Sequence, residues 1–294
     1  MLTRREMLLG AVALLPACAV SRGVFALAPS LADFPDDAIA TLERDHGGRL
    51  GVAAVDTASG RQLRFRADER FALCSTFKLA AAAAVLARVD RHQERLDRSI
   101  AYRQDDLLDY APITRDHLGQ GAMTLRDLCA AAIDWSDNTA ANLILRTIGG
   151  PPAWTRYVRS LGDRVSRLDR VEPALNVVDP GDILDTTTPA AMLSLMRTIL
   201  CGKALSERSR SQLVDWLVAA KVGRERISAG LPSSWRIGHK TGSGPRGETN
   251  DIAILWPPGR LPILVTAYYA GSSADAEARN GVLAEVGRIV SAGL

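Results

Sequence analysis

Segments of strand character stand at both ends of this 294-residue chain, and what lies between them reads as helix. Residues 50–56 and 62–65 flank the turn Ser59-Gly60, the pattern of a β-hairpin. Residues 235–241, 251–256 and 262–269 read as three further strands, followed by a last helix over about 274–290. Unpaired strand edges present open rows of hydrogen-bonding groups, so the two ends are expected to join in one antiparallel sheet. The predicted fold class is therefore α/β plus all-α, a five-stranded antiparallel sheet flanked by helices with an inserted helical domain. Residues 31–66 and 218–294 would form the discontinuous α/β part and residues 67–217 the insertion.

Local signals punctuate the helical stretch. The run 76–86 is dominated by Ala and Leu and favours helix. Thr124 and Asp127 form a capping box, Gly149-Gly150 closes the helix begun near Thr139, and Pro152 suits a first helical turn. Thr188-Pro189 starts another helix that ends at Gly202.

With 47% hydrophobic residues the chain can bury a large core, as one large or two interlocked domains. Its net charge of +3 is small, and no dense Lys/Arg run is interleaved with aromatics, so nucleic acid is not an expected partner. Arg4 and Arg5 precede an apolar stretch over 7–20, and Ala26-Leu27-Ala28 offers small residues for cleavage, so residues 1–28 read as a signal peptide of an exported, periplasmic or secreted protein. The run Thr3-Arg4-Arg5-Glu6-Met7-Leu8 is similar to a twin-arginine signal, and a general secretory signal fits as well. Lipidation at Cys18 is a third route, to which Pro16 is poorly suited. Beyond the leader no apolar run approaches the ~20 residues of a membrane span. Cys74, Cys129 and Cys201 form no C-x-x-C pair and imply no disulfide framework. His46, His92, His117 and His239 are scattered without metal-ligand spacing, so no metal and no other cofactor is expected.

The chemistry-bearing residues fall at breaks between elements. Ser75 stands at a helix start, where unpaired backbone N–H groups favour negative charge, so its own amide can help hold an oxyanion. Lys78 is one turn on and can lie beside the hydroxyl. A lysine made neutral by burial and cationic neighbours can take the hydroxyl proton. Taken alone, S-x-x-K is an ordinary helix start with a surface lysine. Ser136 can pass a proton between Lys78 and a leaving nitrogen, and Asn138 can hydrogen-bond a substrate amide, although Ser136-Asp137-Asn138 by itself is a good N-cap sequence. Lys240-Thr241-Gly242-Ser243 closes a strand. Alternation puts Lys240 and Gly242 on one face, the missing side chain of Gly242 lets a ligand approach, and the Ser243 amide can serve as a second oxyanion donor. Lys240 and Thr241 can bind a carboxylate.

Together Ser75-x-x-Lys78, Ser136-Asp137-Asn138 and Lys240-Thr241-Gly242 resemble the penicillin-recognising serine enzymes. The similarity runs from about Leu31 to the end, and it implies a site in a cleft between an α/β and an all-α domain. The segment Glu172-Pro173-Ala174-Leu175-Asn176 resembles the Ω-loop of class A β-lactamases, which would place that loop at about 167–185. In that family the glutamate and asparagine hold the water that hydrolyses the acyl-enzyme. The resemblance implies a small-molecule β-lactam substrate, penicillins and cephalosporins, with resistance as the consequence and a monomer as the expected state. It also implies a stapling ion pair between Arg170 and Asp185, a cis peptide at Glu172-Pro173, an aromatic gatekeeper at Tyr110, and Arg226 as the arginine for the substrate carboxylate, because the strand position that often supplies it holds Thr249.

Two positions depart from particular members. Cys74 matches one half of the carbapenemase disulfide whose other position is Gly244 here, and Cys129 matches a cysteine whose partner position is Ala82. Neither bridge is available, so potent carbapenem hydrolysis is not indicated. Two alternatives stay open on the sequence. One is a cell-wall D-Ala-D-Ala peptidase or transpeptidase, and the other a non-enzymatic β-lactam receptor domain. Glu172 and Asn176 argue against both.

Overall fold

The computed structural model describes residues 36–293. The leader read over 1–28, with Arg4, Arg5 and Cys18, lies outside the described residues. In chain order the elements are α1 (Asp36–His46), β1 (Arg49–Asp56), β2 (Gln62–Phe65), β3 (Phe71–Ala72), α2 (Phe77–Asp90), β4 (Ser99–Ala101), α3 (Pro112–Asp116), β5 (Ala122–Thr124), α4 (Leu125–Asp134), α5 (Asn138–Ile148), α6 (Gly150–Ser160), β6 (Thr186–Thr187), α7 (Pro189–Leu200), α8 (Glu207–Val218), β7 (Arg236–Ser243), β8 (Thr249–Trp256), β9 (Ile263–Ala270) and α9 (Ala276–Gly293).

The main sheet is antiparallel in the order β2-β1-β9-β8-β7, so strands from the two ends of the chain meet along the β1–β9 ladder, where Val52 faces Ala267. Both faces of its central strands are covered, which explains apolar runs in place of strict alternation. On one face Leu50, Val52, Val265, Ala267 and Tyr269 pack with Ile39 and Leu42 of α1 and with Val282, Leu283 and Val286 of α9. On the other, Ala53, Val55, Ile252, Leu264 and Tyr268 join the core of the helical segment.

At the centre of that segment α2 is buried from Phe77 to Ala87, and it packs against α4, α5, α6 and α8. A helix surrounded on all sides has no polar stripe, and alanines let four neighbours approach closely. The Trp154 indole donates to the carbonyl of Phe77 at 3.1 Å, which holds the first turn of α2 in place.

Several local signals act as read. Thr124 accepts from the Asp127 amide at the start of α4, Gly149 ends α5 at φ 100°, and the Thr188 side chain caps α7. Two features differ from the sequence reading. Helix α1 stands ahead of the first strand, where no element was expected. The stretch read as helical with stops and starts from Ser75 to about Ala220 also holds two unexpected short ladders, β4 with β5 and, at the end of the Ω segment, β6 with β3. Ladders of two or three residues are too short to carry a period in sequence.

Close backbone packing explains two glycines in the C-terminal half. A Cβ at Gly230, in the 3₁₀ turn Ile227–Gly230, would lie 1.8 Å from the Ala284 carbonyl oxygen of α9, and one at Gly287 would lie 2.4 Å from the Ile227 carbonyl oxygen. Gly230→Ala is expected to destabilise by about 1–3 kcal/mol through overpacking, which lowers Tm by roughly 2–4 °C for each kcal/mol. Gly281→Ala on the open face of α9 has nothing within 4 Å and should hold or raise Tm. Thermal melts of the two variants check the contrast.

Candidate active site

Ser75 lies in a 3₁₀ turn, Cys74–Thr76, that leads into α2, rather than in the α-helix itself. Cys74, just before it, has φ 43°, a left-handed conformation uncommon for a residue with a side chain. The turn is tied down by Thr76, whose hydroxyl donates to the Leu73 carbonyl at 2.6 Å and lies 3.2 Å from the Tyr268 hydroxyl. Lys78 follows in the first turn of α2 with its side chain wholly buried.

Ser136 occupies the junction of α4 and α5, again left-handed at φ 59°. The N-cap of α5 is Asp137, which accepts from the Ala140 amide at 2.8 Å. The same carboxylate accepts from the Thr114 amide at 2.9 Å and the Ile113 amide at 3.0 Å. One buried aspartate thereby fixes both the junction and the first turn of α3. Tyr110 is 48% exposed at the cleft mouth, its hydroxyl donating to the Trp135 carbonyl at 3.1 Å and its carbonyl accepting from the Asn138 amide at 3.0 Å.

The Ω segment carries Glu172, followed by Pro173 through a cis peptide bond. Asp185 closes the segment. Its fully buried carboxylate accepts from the amides of Asp169 at 2.7 Å and Arg170 at 3.0 Å and from Arg170 Nε at 2.5 Å. Asn142, one turn beyond Asn138 on α5, clamps the backbone of Glu172 with both ends of its amide, at 3.0 Å to the Glu172 N–H and 2.9 Å to its carbonyl. The sequence reading missed Asn142 and the reach of Asp137. The four-residue spacing from Asn138 to Asn142, which stacks both on one helix face, was the available signal.

These elements converge on a few ångströms. Glu172 Oε1 lies 3.3 Å from Ser75 Oγ and 3.1 Å from Lys78 Nζ. Glu172 Oε2 accepts from Asn176 Nδ2 at 2.5 Å, while Asn176 Oδ1 is buried without a protein hydrogen-bond partner. Lys78 Nζ donates to the Ser136 carbonyl at 2.9 Å and to Asn138 Oδ1 at 2.7 Å. With Glu172 that makes three acceptors for the three N–H bonds of an ammonium. Ser136 Oγ sits between two amines, 3.3 Å from Lys78 Nζ and 3.0 Å from Lys240 Nζ.

Burial pulls the pKa of Lys78 below the ordinary lysine value, and the Glu172 carboxylate opposes that pull. Burial lowers Lys240 much further, and the positive charges of Lys78 and Arg226 add to the effect. The Cys74 thiol is pushed well above its usual range by burial, which makes it a poor nucleophile. Cys74, Cys129 and Cys201 are all free thiols.

Strand β7 runs close past Ser75. A Cβ on Gly242 would lie 3.3 Å from the Ser75 amide nitrogen and 3.2 Å from the Leu73 carbonyl oxygen, so the strand can approach only because that residue is glycine. Arg226 is not a surface side chain. It is 8% exposed, and Nη1 donates to the carbonyls of Gly242 and Asn250, both at 2.8 Å, while Nη2 donates to Ser243 Oγ at 2.8 Å. The cleft, of about 370 Å³, is lined by Ser75, Tyr110, Ser136, Asn138, Asn176, Arg226, Thr241, Gly242 and Ser243 among others. Lys78, Lys240 and Glu172 lie directly beneath them. All twelve residues expected at the catalytic and binding positions are therefore brought together, with Arg170 and Asp185 paired at the base of the Ω segment.

No helix among the described residues is long and apolar enough to cross a membrane, and no group of three or more His, Cys, Asp or Glu among them is placed to hold a metal ion. Chemically, the Ser75 hydroxyl beside a buried carboxylate, with the Ser136 hydroxyl held between two buried amines in a cleft with an excess of positive charge, suits attack on a carbonyl of an anionic substrate.

Comparison with known proteins agrees with that chemistry. The model of the β-lactamase enzyme family matches residues 35–294. Beta-lactamase CTX-M-8 of Citrobacter amalonaticus is 49% identical over 255 residues, covering 87% of each chain. Beta-lactamase OXY-1 of Klebsiella oxytoca is 44% identical over 290 residues, covering 99% of this chain and 98% of that one. Among solved structures, an ancestral class A β-lactamase superposes with a TM-score of 0.87 at 59% identity, over 88% of this chain and 99% of the other. A putative class A β-lactamase, PenP from Rhodopseudomonas palustris, gives 0.86 at 50% identity over 88% and 99% of the two chains. The turn that carries Ser75, the two buried amines and the Ω-segment carboxylate thus sit in a chain that belongs to the β-lactamase enzyme family, in its class A branch.

Proposed function

We propose that the cleft opens the β-lactam amide of penicillins and cephalosporins through a serine acyl-enzyme that Glu172 then discharges, conferring β-lactam resistance. The observation that carries this reading is the position of Glu172, within 3.3 Å of the nucleophile's oxygen. Ser75 Oγ attacks the lactam carbonyl carbon while its proton leaves to Glu172, directly or through a water, or to Lys78. The Ser75 and Ser243 amides face the developing oxyanion. As the C–N bond breaks, Ser136 Oγ gives its proton to the departing nitrogen and is reprotonated from the amines on either side. With its proton passed on to Lys78, Glu172 then takes a proton from a water that attacks the ester carbonyl, the C–Oγ bond breaks, Ser75 Oγ takes that proton back, and the unpaired Oδ1 of Asn176 offers the water an acceptor.

The binding roles follow from charge. Arg226, Lys240, Thr241 and Ser243 take the substrate carboxylate, Asn138 takes the amide, and Tyr110 flanks the entrance. Arg170 and Asp185 hold the Ω segment, at about 167–185, in register with the nucleophile. A peptidase or a receptor domain would lack the paired Glu172 and Asn176. The working unit is read as a monomer in two parts, 31–66 with 218–294 and 67–217. The leader over 1–28 places hydrolysis in the periplasm or outside the cell, with the twin-arginine and general secretory routes both open.

Replacing Glu172 with Ala should leave a stable penicilloyl adduct visible by mass spectrometry, and rapid turnover by the variant would defeat the role. Because the carboxylate raises the pKa of Lys78, its loss lowers that pKa further and enlarges the neutral fraction. The acylation rate of the variant should therefore climb with pH around a midpoint well below the ordinary lysine value, as read by stopped-flow with nitrocefin. Arg226→Ala should raise KM by roughly 10-fold or more with a smaller loss in kcat. Asp185→Ala strips three donors of their buried acceptor and should cost about 2–4 kcal/mol in urea unfolding, with faster amide exchange across the Ω segment.

A further inference from the structure

His239 directly precedes Lys240 in β7, yet the chemistry above gives it no task. It is 3% exposed, and its Nδ1 lies 3.1 and 3.2 Å from the two carboxylate oxygens of Asp251, which is wholly buried. An ionised carboxylate only accepts, so the ring presents Nδ1–H to it. With the ring neutral and the aspartate ionised the pair carries one negative charge. When the ring takes a second proton from solvent the pair carries none.

Strand geometry puts this pair next to the substrate. In the β7–β8 ladder Asp251 faces Thr241 and His239 faces Ala253, so all four side chains point to the α9 side of the sheet, where Ala253 packs. Thr241 lines the cleft, and side chains directly opposed in a ladder have Cβ atoms about 5 Å apart. Asp251 thus stands one residue behind a group that takes the substrate carboxylate. Arg226 depends on Asp251 at longer range. Among the described residues the hydrogen bonds of its guanidinium go to neutral groups: Asn280 Oδ1 at 3.0 Å, the carbonyls of Gly242 and Asn250, and Ser243 Oγ. Burial lowers the pKa of Arg226, and the charge of Asp251 leads the opposing influences. Burial, Lys78 and Arg226 lower that of Lys240, and Asp251 again opposes.

The remaining charged and titratable groups near the pair come from several elements. Glu225 and Arg226 precede the 3₁₀ turn Ile227–Gly230, α9 adds Arg279, whose Nε donates to Thr249 Oγ1 at 3.2 Å, and β7 adds Lys240 on its other face. The turn before α2 brings the buried Cys74 thiol against Gly242, and α8 meets β7 with apolar Leu217 and Val218 against Gly238.

We propose that His239 and Asp251 are positioning residues that set the charge behind the carboxylate end of the cleft, so that protonation of His239 and binding of the substrate carboxylate favour each other. The proposal rests on the reading of this cleft as the site of an anionic β-lactam. With His239 neutral, the charge of Asp251 offsets the attraction of Arg226 and Lys240 for an anion. With His239 protonated that offset is gone.

The test measures benzylpenicillin binding to the Ser75→Ala protein, which cannot form the acyl-enzyme, by titration calorimetry between about pH 5 and 8, the range in which histidine changes charge. Kd should be roughly fivefold lower at the acid end, and binding should take up a fraction of a proton in between, read by repeating the titration in buffers of different ionisation enthalpy. His239→Gln, neutral at every pH, should give the alkaline Kd throughout and no such uptake. Asp251→Asn, which removes the offsetting charge, should give the acid-end Kd throughout. A purely structural role would weaken binding in both variants. The ¹⁵N signals of the His239 ring should titrate over the same interval as Kd. A ring that does not titrate there, a pH dependence that survives in His239→Gln and so belongs to Lys240 or Glu172, or weaker binding in both variants would overturn the proposal. Failure of the unaltered protein to turn over benzylpenicillin would instead overturn the reading of the cleft on which it rests.

Discussion

Two buried amines and one buried carboxylate share the floor of the cleft, and the rest of the molecule is arranged so that they can stay there. Lys78 and Lys240 are both almost wholly inaccessible to water, and they reach each other through a single oxygen, Ser136 Oγ. Removing an ammonium from water costs several kcal/mol unless its hydrogen bonds are replaced. The replacements are four groups from three separate places: the Glu172 carboxylate on the Ω segment, the Ser136 carbonyl and Asn138 at the α4–α5 junction, and the Thr241 carbonyl on β7. Each element is therefore constrained by the charge it helps to solvate. The same burial lowers both amine pKa values, which brings the neutral forms that proton transfer requires within reach.

Three of the five non-glycine residues at positive φ among the described residues belong to this arrangement. Cys74, Ser136 and Asp185 all carry positive φ and all belong to segments that deliver a functional group. A left-handed residue with a side chain persists only where its surroundings over-determine it. The surroundings are visible in each case. Thr76 and Tyr268 pin the nucleophile turn, Asp137 pins the junction holding Ser136, and the carboxylate of Asp185 gathers the amides of Asp169 and Arg170. The central α2 adds rigidity of another kind, since a helix packed on every side cannot shift without disturbing several neighbours.

The edge of the Ω segment follows a different principle. Where the floor is fixed by buried charges, the end of the Ω segment meets the β7–β8 turn through an exposed ion pair beside a second cavity. Burial strengthens polar contacts in the floor, and solvent weakens them at the rim.

Much of this was legible in the chain itself. The period of the apolar residues, the capping signals at Thr124, Gly149 and Thr188, and the strand character of both ends determined the elements and the need for a shared sheet, because these depend on short-range geometry and on pairing edges. The spaced motifs at Ser75, Ser136, Glu172 and Lys240 named the chemistry. Other features had no local signal. Among its described side chains helix α1 buries Ile39 and Leu42, too few to reveal a period, and it forms where the sheet offers a face to cover. Asn142 is an ordinary helix residue until the Ω segment lies against it. The place of Arg226 in the cleft followed from the resemblance and not from any local signal, since Gly242, Ser243 and Asn250 surround its guanidinium only in the fold, and the tie from Arg246 to Asp179 joins residues 67 apart. Sequence alone determined which groups were present and which elements carried them. Tertiary structure decided which of them share low-dielectric space, and that decision sets their charge and their partners, because electrostatic interactions depend on distance and burial that no spacing along a chain records.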